Sequence, residues 1–222
     1  MTARRILLLV GSAKAAGRST SEALARHLAD RFETGGAAVS TLPVNRSRRA
    51  AEDARLAAAL DDADLFMLVT PLYVDSLPYL VTRSLEIIAG RERRRGDQQF
   101  AALINCGFPE AAQCRTALAI LECFARRAGF EWAGGLALGG GGSIDGRRLS
   151  QLGGMTRNVR TGLELAADAL MRAEPVPDAA IARLAKPMMP AAIYTGIANI
   201  GWRWQASRHG VHRHLNERPY GR

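Results

Sequence analysis

Four hydroxyl side chains near the start of the chain offer the first chemistry. In VGSAKAAGRSTSEALARHL, Val10 to Leu28, an apolar run ends at Gly11-Ser12, a loop of small and basic residues follows, and Ser19-Thr20-Ser21 leads into a helix-like repeat. Backbone N–H groups and hydroxyls gathered at the start of a helix favour an anion, because the helix dipole adds partial positive charge there. Ser12, Ser19, Thr20 and Ser21 are therefore phosphate candidates, with Lys14 or Arg18 adding charge. A nucleoside-triphosphate loop would need Gly-Lys-Ser/Thr leading into the helix, and a dinucleotide fingerprint would need GxGxxG; this loop has neither. An ordinary strand-to-helix turn with a cap stays open on this loop alone.

Two further loops carry distinctive residues. In TPLYVDSLP, Thr70 to Pro78, Pro71 rigidifies the turn, and Leu72, Tyr73 and Val74 can present apolar surface and backbone amides to a flat ring. The alternative is a turn whose Tyr73 packs on the following helix. In NCGFPE, Asn105 to Glu110, Gly107 lets backbone approach a ligand closely and Phe108 offers an aromatic wall. Cys106 reads as a small buried residue rather than a nucleophile, since no histidine lies in these loops to activate it. No side-chain acid or base is singled out as catalytic, and no metal-ligand set is expected. His209, His212 and His214 read as an exposed basic end.

The elements that must hold these loops follow from periodicity. Apolar runs predict strands over Arg5–Val10, Ala38–Pro43, Leu65–Thr70, Phe100–Asn105 and Ala133–Leu138. Helical spacing predicts helices over Ser21–Arg31, Ala50–Leu60, Leu77–Ala89 and Arg115–Ala128, with a last one from about Leu149 to Arg172 after the glycine-rich GGGGSIDG. Alternating strands and helices favour an open, doubly wound α/β sheet of five parallel strands, where ligands sit at the carboxyl ends near the topological switch point. In the order 2-1-3-4-5 that point lies beside the first, third and fourth strands, whose loops are the three above. From Pro175 the pattern stops: a Pro-bounded linker precedes a helix whose Ile193, Ile197, Ile200 and Trp204 form an apolar stripe. The expected organisation is a domain over 1–174 and a C-terminal helical extension over 175–222, packed on the domain or on a dimer partner. An interfacial role is the alternative, because Trp202 and Trp204 sit beside arginines.

Composition sets outer bounds. With 222 residues, 48% hydrophobic and 23% charged, the chain can bury one sizeable core. The longest uncharged run, Pro187 to Trp202, is too short and too interrupted to span a bilayer, and the basic, apolar N-terminus reads as a first strand rather than a signal peptide. Three cysteines without CxxC spacing point to a cytoplasmic protein. The net charge of +9 raises nucleic acid or anionic membrane as partners, but Arg46, Arg48, Arg49 and Arg91, Arg93, Arg94, Arg95 fall in expected loops. The basic clusters also lack interleaved aromatics, so no nucleic acid is expected.

GSAKAAGRSTSEAL, TPLYVDSLP and NCGFPEAAQCRTALAILECFARRAGFEWAGGLALGGGG together resemble the NAD(P)H-dependent FMN reductase and quinone reductase branch of the flavodoxin-like superfamily, over about residues 4 to 145. The resemblance implies FMN held by its phosphate at Ser12, Lys14, Ser19, Thr20 and Ser21. It implies the isoalloxazine edge against Pro71, Leu72, Tyr73 and Val74, and its other side near Cys106, Gly107 and Phe108. It also implies NAD(P)H as co-substrate, ping-pong transfer to a small acceptor (a quinone, a nitro compound or a flavin), and a homodimer. The first loop departs from the family's shorter Pro-Arg turn by Lys14 and two extra alanines, and the clustered cysteines of iron-sulfur relatives are missing. Arg91 to Arg95 are the candidates for the extra phosphate of NADPH. Two rivals remain: a flavodoxin-type carrier or sensor without NAD(P)H turnover, and a scaffold that binds no flavin.

Overall fold

Three continuous apolar runs become central parallel strands because both of their faces are covered, and two partly exposed strands flank them. β1 (Arg5–Val10), β2 (Ala38–Pro43), β3 (Leu65–Pro71), β4 (Gln99–Asn105) and β5 (Glu131–Leu138) form one all-parallel sheet in the order 2-1-3-4-5. This is the flavodoxin-like, doubly wound α/β architecture. The computed structural model describes residues 3–15, 17–44, 49–91 and 97–217, so Arg46, Arg48, Arg93, Arg94 and Arg95 lie outside the described residues.

Helices cover both faces: α1 (Thr20–Thr34), α2 (Ala50–Asp62), α3 (Tyr79–Ala89), α4 (Arg115–Arg127), α5 (Arg157–Met171) and α6 (Asp178–Ala185). Side chains alternate along each strand and so feed two cores. Ile6, Leu8 and Val10 of β1 join Leu24, Leu28 and Phe32 of α1 and Leu163 and Leu170 of α5. Leu7 and Leu9 join Leu56 of α2, Val81 and Leu85 of α3, and Leu121 of α4, beside the stacked rings of Phe66 and Phe100 at 4.8 Å.

One expectation is corrected. The helix expected from Leu149 begins only at Arg157; Leu149–Thr156 is a run of 3-10 turns broken at Gly153, whose φ of 56° is left-handed. There the Thr156 hydroxyl donates to Leu149 O at 2.7 Å. The Pro-bounded segment after 174 contains α6, whose Ala180 and Leu184 are fully buried in the core beside α5. The Val176 N–H donates to Ala133 O at 2.7 Å, tying the approach to α6 onto β5.

The chain divides into two compact units, Met1–Met188 and Met189–Arg222. The second contains α7 (Ala191–Arg208) and a short 3-10 turn at His212–His214. Among the described residues, no helix is long and apolar enough to cross a membrane.

Gly162 tests the seating of α6. A Cβ there would lie 2.1 Å from Leu184 Cδ1 and 3.1 Å from the Ala180 carbonyl oxygen. Helix propensity alone makes Gly162→Ala stabilising by about 1 kcal/mol. Overpacking against α6 reverses the sign, with an expected loss of about 1–3 kcal/mol in urea unfolding; a stabilised variant would show that α6 does not sit on α5.

Candidate functional site

The carboxyl ends of β1, β3, β4 and β5 carry four loops that are hydrogen-bonded to one another. β4 ends in Asn105, whose side-chain Nδ2 donates to Ser21 Oγ at 2.8 Å and to the Thr70 carbonyl at 3.1 Å. Its main-chain carbonyl accepts the Leu72 N–H at 2.8 Å. The buried side-chain amide therefore joins the start of α1 to the end of β3, and the main-chain carbonyl of the same residue holds the loop that follows β3. On the other side, the Thr20 hydroxyl donates to Gly141 O at 2.7 Å. The Gly141 N–H donates to Cys106 O at 2.8 Å, so the loop after β5 is fastened to both the first and the third loops.

At the start of α1, Ser19 holds the N-cap position with extended backbone and makes no side-chain cap. Ala23 is the donor of the helix's bond back to Ser19 O, so the N–H groups of Thr20, Ser21 and Glu22 have no intrahelical acceptor. Burial of this end leaves those N–H groups suited to an anion, which the helix dipole also favours. In the loop that leads to α1, the Ser12 Oγ accepts the Lys14 N–H at 3.2 Å. Glu22 reaches back and accepts the Gly17 N–H at 2.7 Å, and its other carboxylate oxygen meets Arg26 at 3.0 Å. The guanidinium offsets the carboxylate charge next to the anion-favouring end.

Several expected residues are placed differently from their sequence reading. Thr20 and Ser21 turn their hydroxyls into the protein, toward Gly141 and Asn105, so what they present is main-chain N–H rather than side chain. Pro71 is the last residue of β3, paired with Asn105, rather than the first of the loop. Leu72 packs on the core under α2, α3 and α4. Cys106 spends its N–H on Leu138 O and its carbonyl on Gly141, and its thiol is buried 3.5 Å from Phe108 O. The hydrogen bond from Cys114 lowers the Cys106 thiol pKa, while that bond and burial push Cys114 up. Both side chains belong to the same core, as the reading of Cys106 as a small buried residue expects.

The rim is apolar and open. Tyr73 and Phe108 are about half exposed, and Val74 is 98% exposed. Tyr73 and Ser76 exchange N–H···O bonds of 3.0 Å around a tight turn whose central residues, Val74 and Asp75, have φ of 48° and 58°. A β-branched residue held left-handed at a loop tip costs roughly 1–3 kcal/mol, so the surrounding bonds must over-determine it. The N–H groups of these two central residues stand outside the turn's own pair of bonds. Gly107 has open space where a Cβ would go, which keeps the third loop approachable.

Sequence reasoning missed the loop after β5. Its run of glycines was the available signal: a Cβ on Gly139 would lie 2.1 Å from Pro109 O, and one on Gly146 would lie 2.2 Å from Gly17 O. Only bare backbone passes there. Away from this edge, Arg91 is paired with Asp61 at 2.7 Å.

No protein-family model matches the chain, and no curated protein matches it. Its structure is similar to that of RosB, solved with the bound intermediate 8-demethyl-8-formylriboflavin-5'-phosphate, with a TM-score of 0.53 and 15% identity over 62% of this chain and 66% of that one. It is also similar to rubredoxin oxygen:oxidoreductase from Desulfovibrio gigas, at a TM-score of 0.56 and 16% identity over 83% of this chain and 37% of that one. An azoreductase from Bacillus anthracis str. Sterne gives 0.50 and 12% over 77% of this chain and 99% of that one. The chain thus spans less than two thirds of the first two structures. At these identities the likeness establishes the fold alone.

Asn105→Leu removes the side-chain amide that joins the start of α1 to the end of β3, and it leaves the Thr70 carbonyl buried without that donor. The expected cost is about 1–3 kcal/mol in urea unfolding. An unchanged midpoint would mean that the amide does not hold this edge together.

Proposed function

We propose that the chain is an FMN-dependent oxidoreductase that takes hydride from NAD(P)H and passes it to a small acceptor by a ping-pong mechanism. The observation that carries this reading is the carboxyl edge itself: an α1 start without a side-chain cap, fastened to the loop after β5, on the edge that also carries an open apolar rim. RosB, of similar fold, is described with a bound riboflavin-5'-phosphate derivative, which supports a flavin in this fold.

The residues present fit FMN. Its phosphate would be held by the main-chain N–H groups of Thr20, Ser21 and Glu22 with the Ser12 and Ser19 hydroxyls, and Lys14 would add charge. The ring would lie against Tyr73, Val74, Gly107 and Phe108. When bound, FMN supplies the hydride chemistry, and the protein supplies position and electrostatics. The tight turn at Val74-Asp75 holds two N–H groups in a fixed place, and donors fixed before reaction can stabilise negative charge without reorganising. Tyr73 and Phe108 form the substrate face and keep water from it. No side-chain acid or base is required. A quinone, a nitro compound or a flavin fits an open apolar rim as acceptor, and a second copy of the chain would complete the assembly.

The test is spectroscopic. Protein given FMN, passed through a desalting column and mixed anaerobically with NADPH or NADH is expected to retain the yellow colour and then bleach. A yellow complex that NAD(P)H leaves unbleached would replace the reductase reading with a carrier or sensor. A colourless eluate would contradict both.

A further inference from the structure

We infer that the unit Met189–Arg222 docks the protein on an anionic lipid surface through α7. This rests on the helix itself and is independent of what the first unit binds. Ile193, Ile197, Ile200 and Trp204 recur at spacings of four, three and four, which places them on one stripe of α7. Every one of them is more than half exposed, as is Trp202. Ala206 is the only residue of α7 that is buried. Two glycines, Gly196 and Gly201, interrupt the helix, so intrinsic propensity does little to hold it and a surface that buries the stripe would do much more.

Charge selects the occupant. From 189 to 216 the chain has no aspartate or glutamate, and the whole unit sets five arginines against the single Glu217. Arg208 lies over the Trp204 ring at 4.8 Å, which places a cation at the edge of the apolar stripe. Isoleucines in line with Trp204 and flanked by Arg203 and Arg208 suit the boundary between acyl chains and anionic headgroups, where Trp is favoured and Arg meets phosphate; Trp202 lies on the opposite side of the helix. The helix is not long and apolar enough to span, so it lies along the surface. A second copy is a poorer match, because paired α7 helices would bring arginines together with no carboxylate between 189 and 216. A nucleic acid would take the arginines and leave the isoleucines in water.

The full-length protein is sedimented with vesicles of phosphatidylglycerol mixed into phosphatidylcholine, and with pure phosphatidylcholine. Binding to the anionic vesicles is expected, weakened by NaCl, with a blue shift of tryptophan emission in a background of Trp132→Phe and Trp202→Phe that leaves Trp204 of the stripe as the reporter. Ile197→Asp with Ile200→Asp is expected to lower the partition at least about tenfold. Arg203→Ala with Arg208→Ala, which spares the stripe, is expected to lower it and to flatten the salt dependence. Equal sedimentation with both vesicle types would overturn the proposal. So would binding that the Ile changes leave intact, or a dimer that those changes convert to monomer without any lipid response. Salt-sensitive retention of DNA in place of vesicles would assign the arginines to nucleic acid and overturn it too.

Discussion

The amide of Asn105 is the interaction on which the carboxyl edge depends. It sits where β4 ends, with β3 on one side and the start of α1 above, and it is 5% exposed. Its two N–H groups go to Ser21 and to Thr70, and its main-chain carbonyl takes Leu72. A buried polar group is costly unless it is bonded, so an amide whose two N–H groups are both bonded favours one arrangement of these loops over its alternatives. That arrangement turns the α1 hydroxyls inward and leaves the helix's own N–H groups as the donors of the site.

The second constraint is close approach of backbone. Gly141 sits with its Cα side against Asn105 Oδ1 and Cys106 O, at 3.0 and 3.1 Å from where a Cβ would be. The approach is tighter still at Gly139 and Gly146, where a Cβ would lie 2.1 Å from Pro109 O and 2.2 Å from Gly17 O, so at those two positions the loop after β5 passes the third and first loops only as glycine. Rigidity is concentrated here, and the rim beyond it stays exposed at Tyr73, Val74 and Phe108. A stiff polar floor under an open apolar wall is an arrangement suited to holding a flat ligand with a charged tail.

Much of the fold was legible in the sequence because burial on both faces produces continuous apolar runs. β1 and β2 begin and end where those runs do, and the other strands extend by one or two residues at their ends. α6 was hidden by its flanking prolines, and its eight residues are too few for periodicity to show. The 3-10 stretch before α5 was hidden because its apolar spacing runs through Gly153 without revealing the left-handed turn there. At the site, the loops were legible from their small residues, but the direction of each hydroxyl was not. Thr20 is set by Gly141, 121 residues later, and Ser21 by Asn105, 84 residues later. Contacts at such separation leave no local pattern.

The proposed function requires that the α1 start and its companions seat the phosphate of a flavin. Comparing FMN with riboflavin in calorimetric titrations of the same protein tests it most directly, because the two ligands share the ring and differ in the phosphate. Charge-assisted bonds to main-chain N–H groups predict that FMN binds at least about tenfold more tightly. Equal affinity would contradict the claim, since the ring alone would then carry all of the binding.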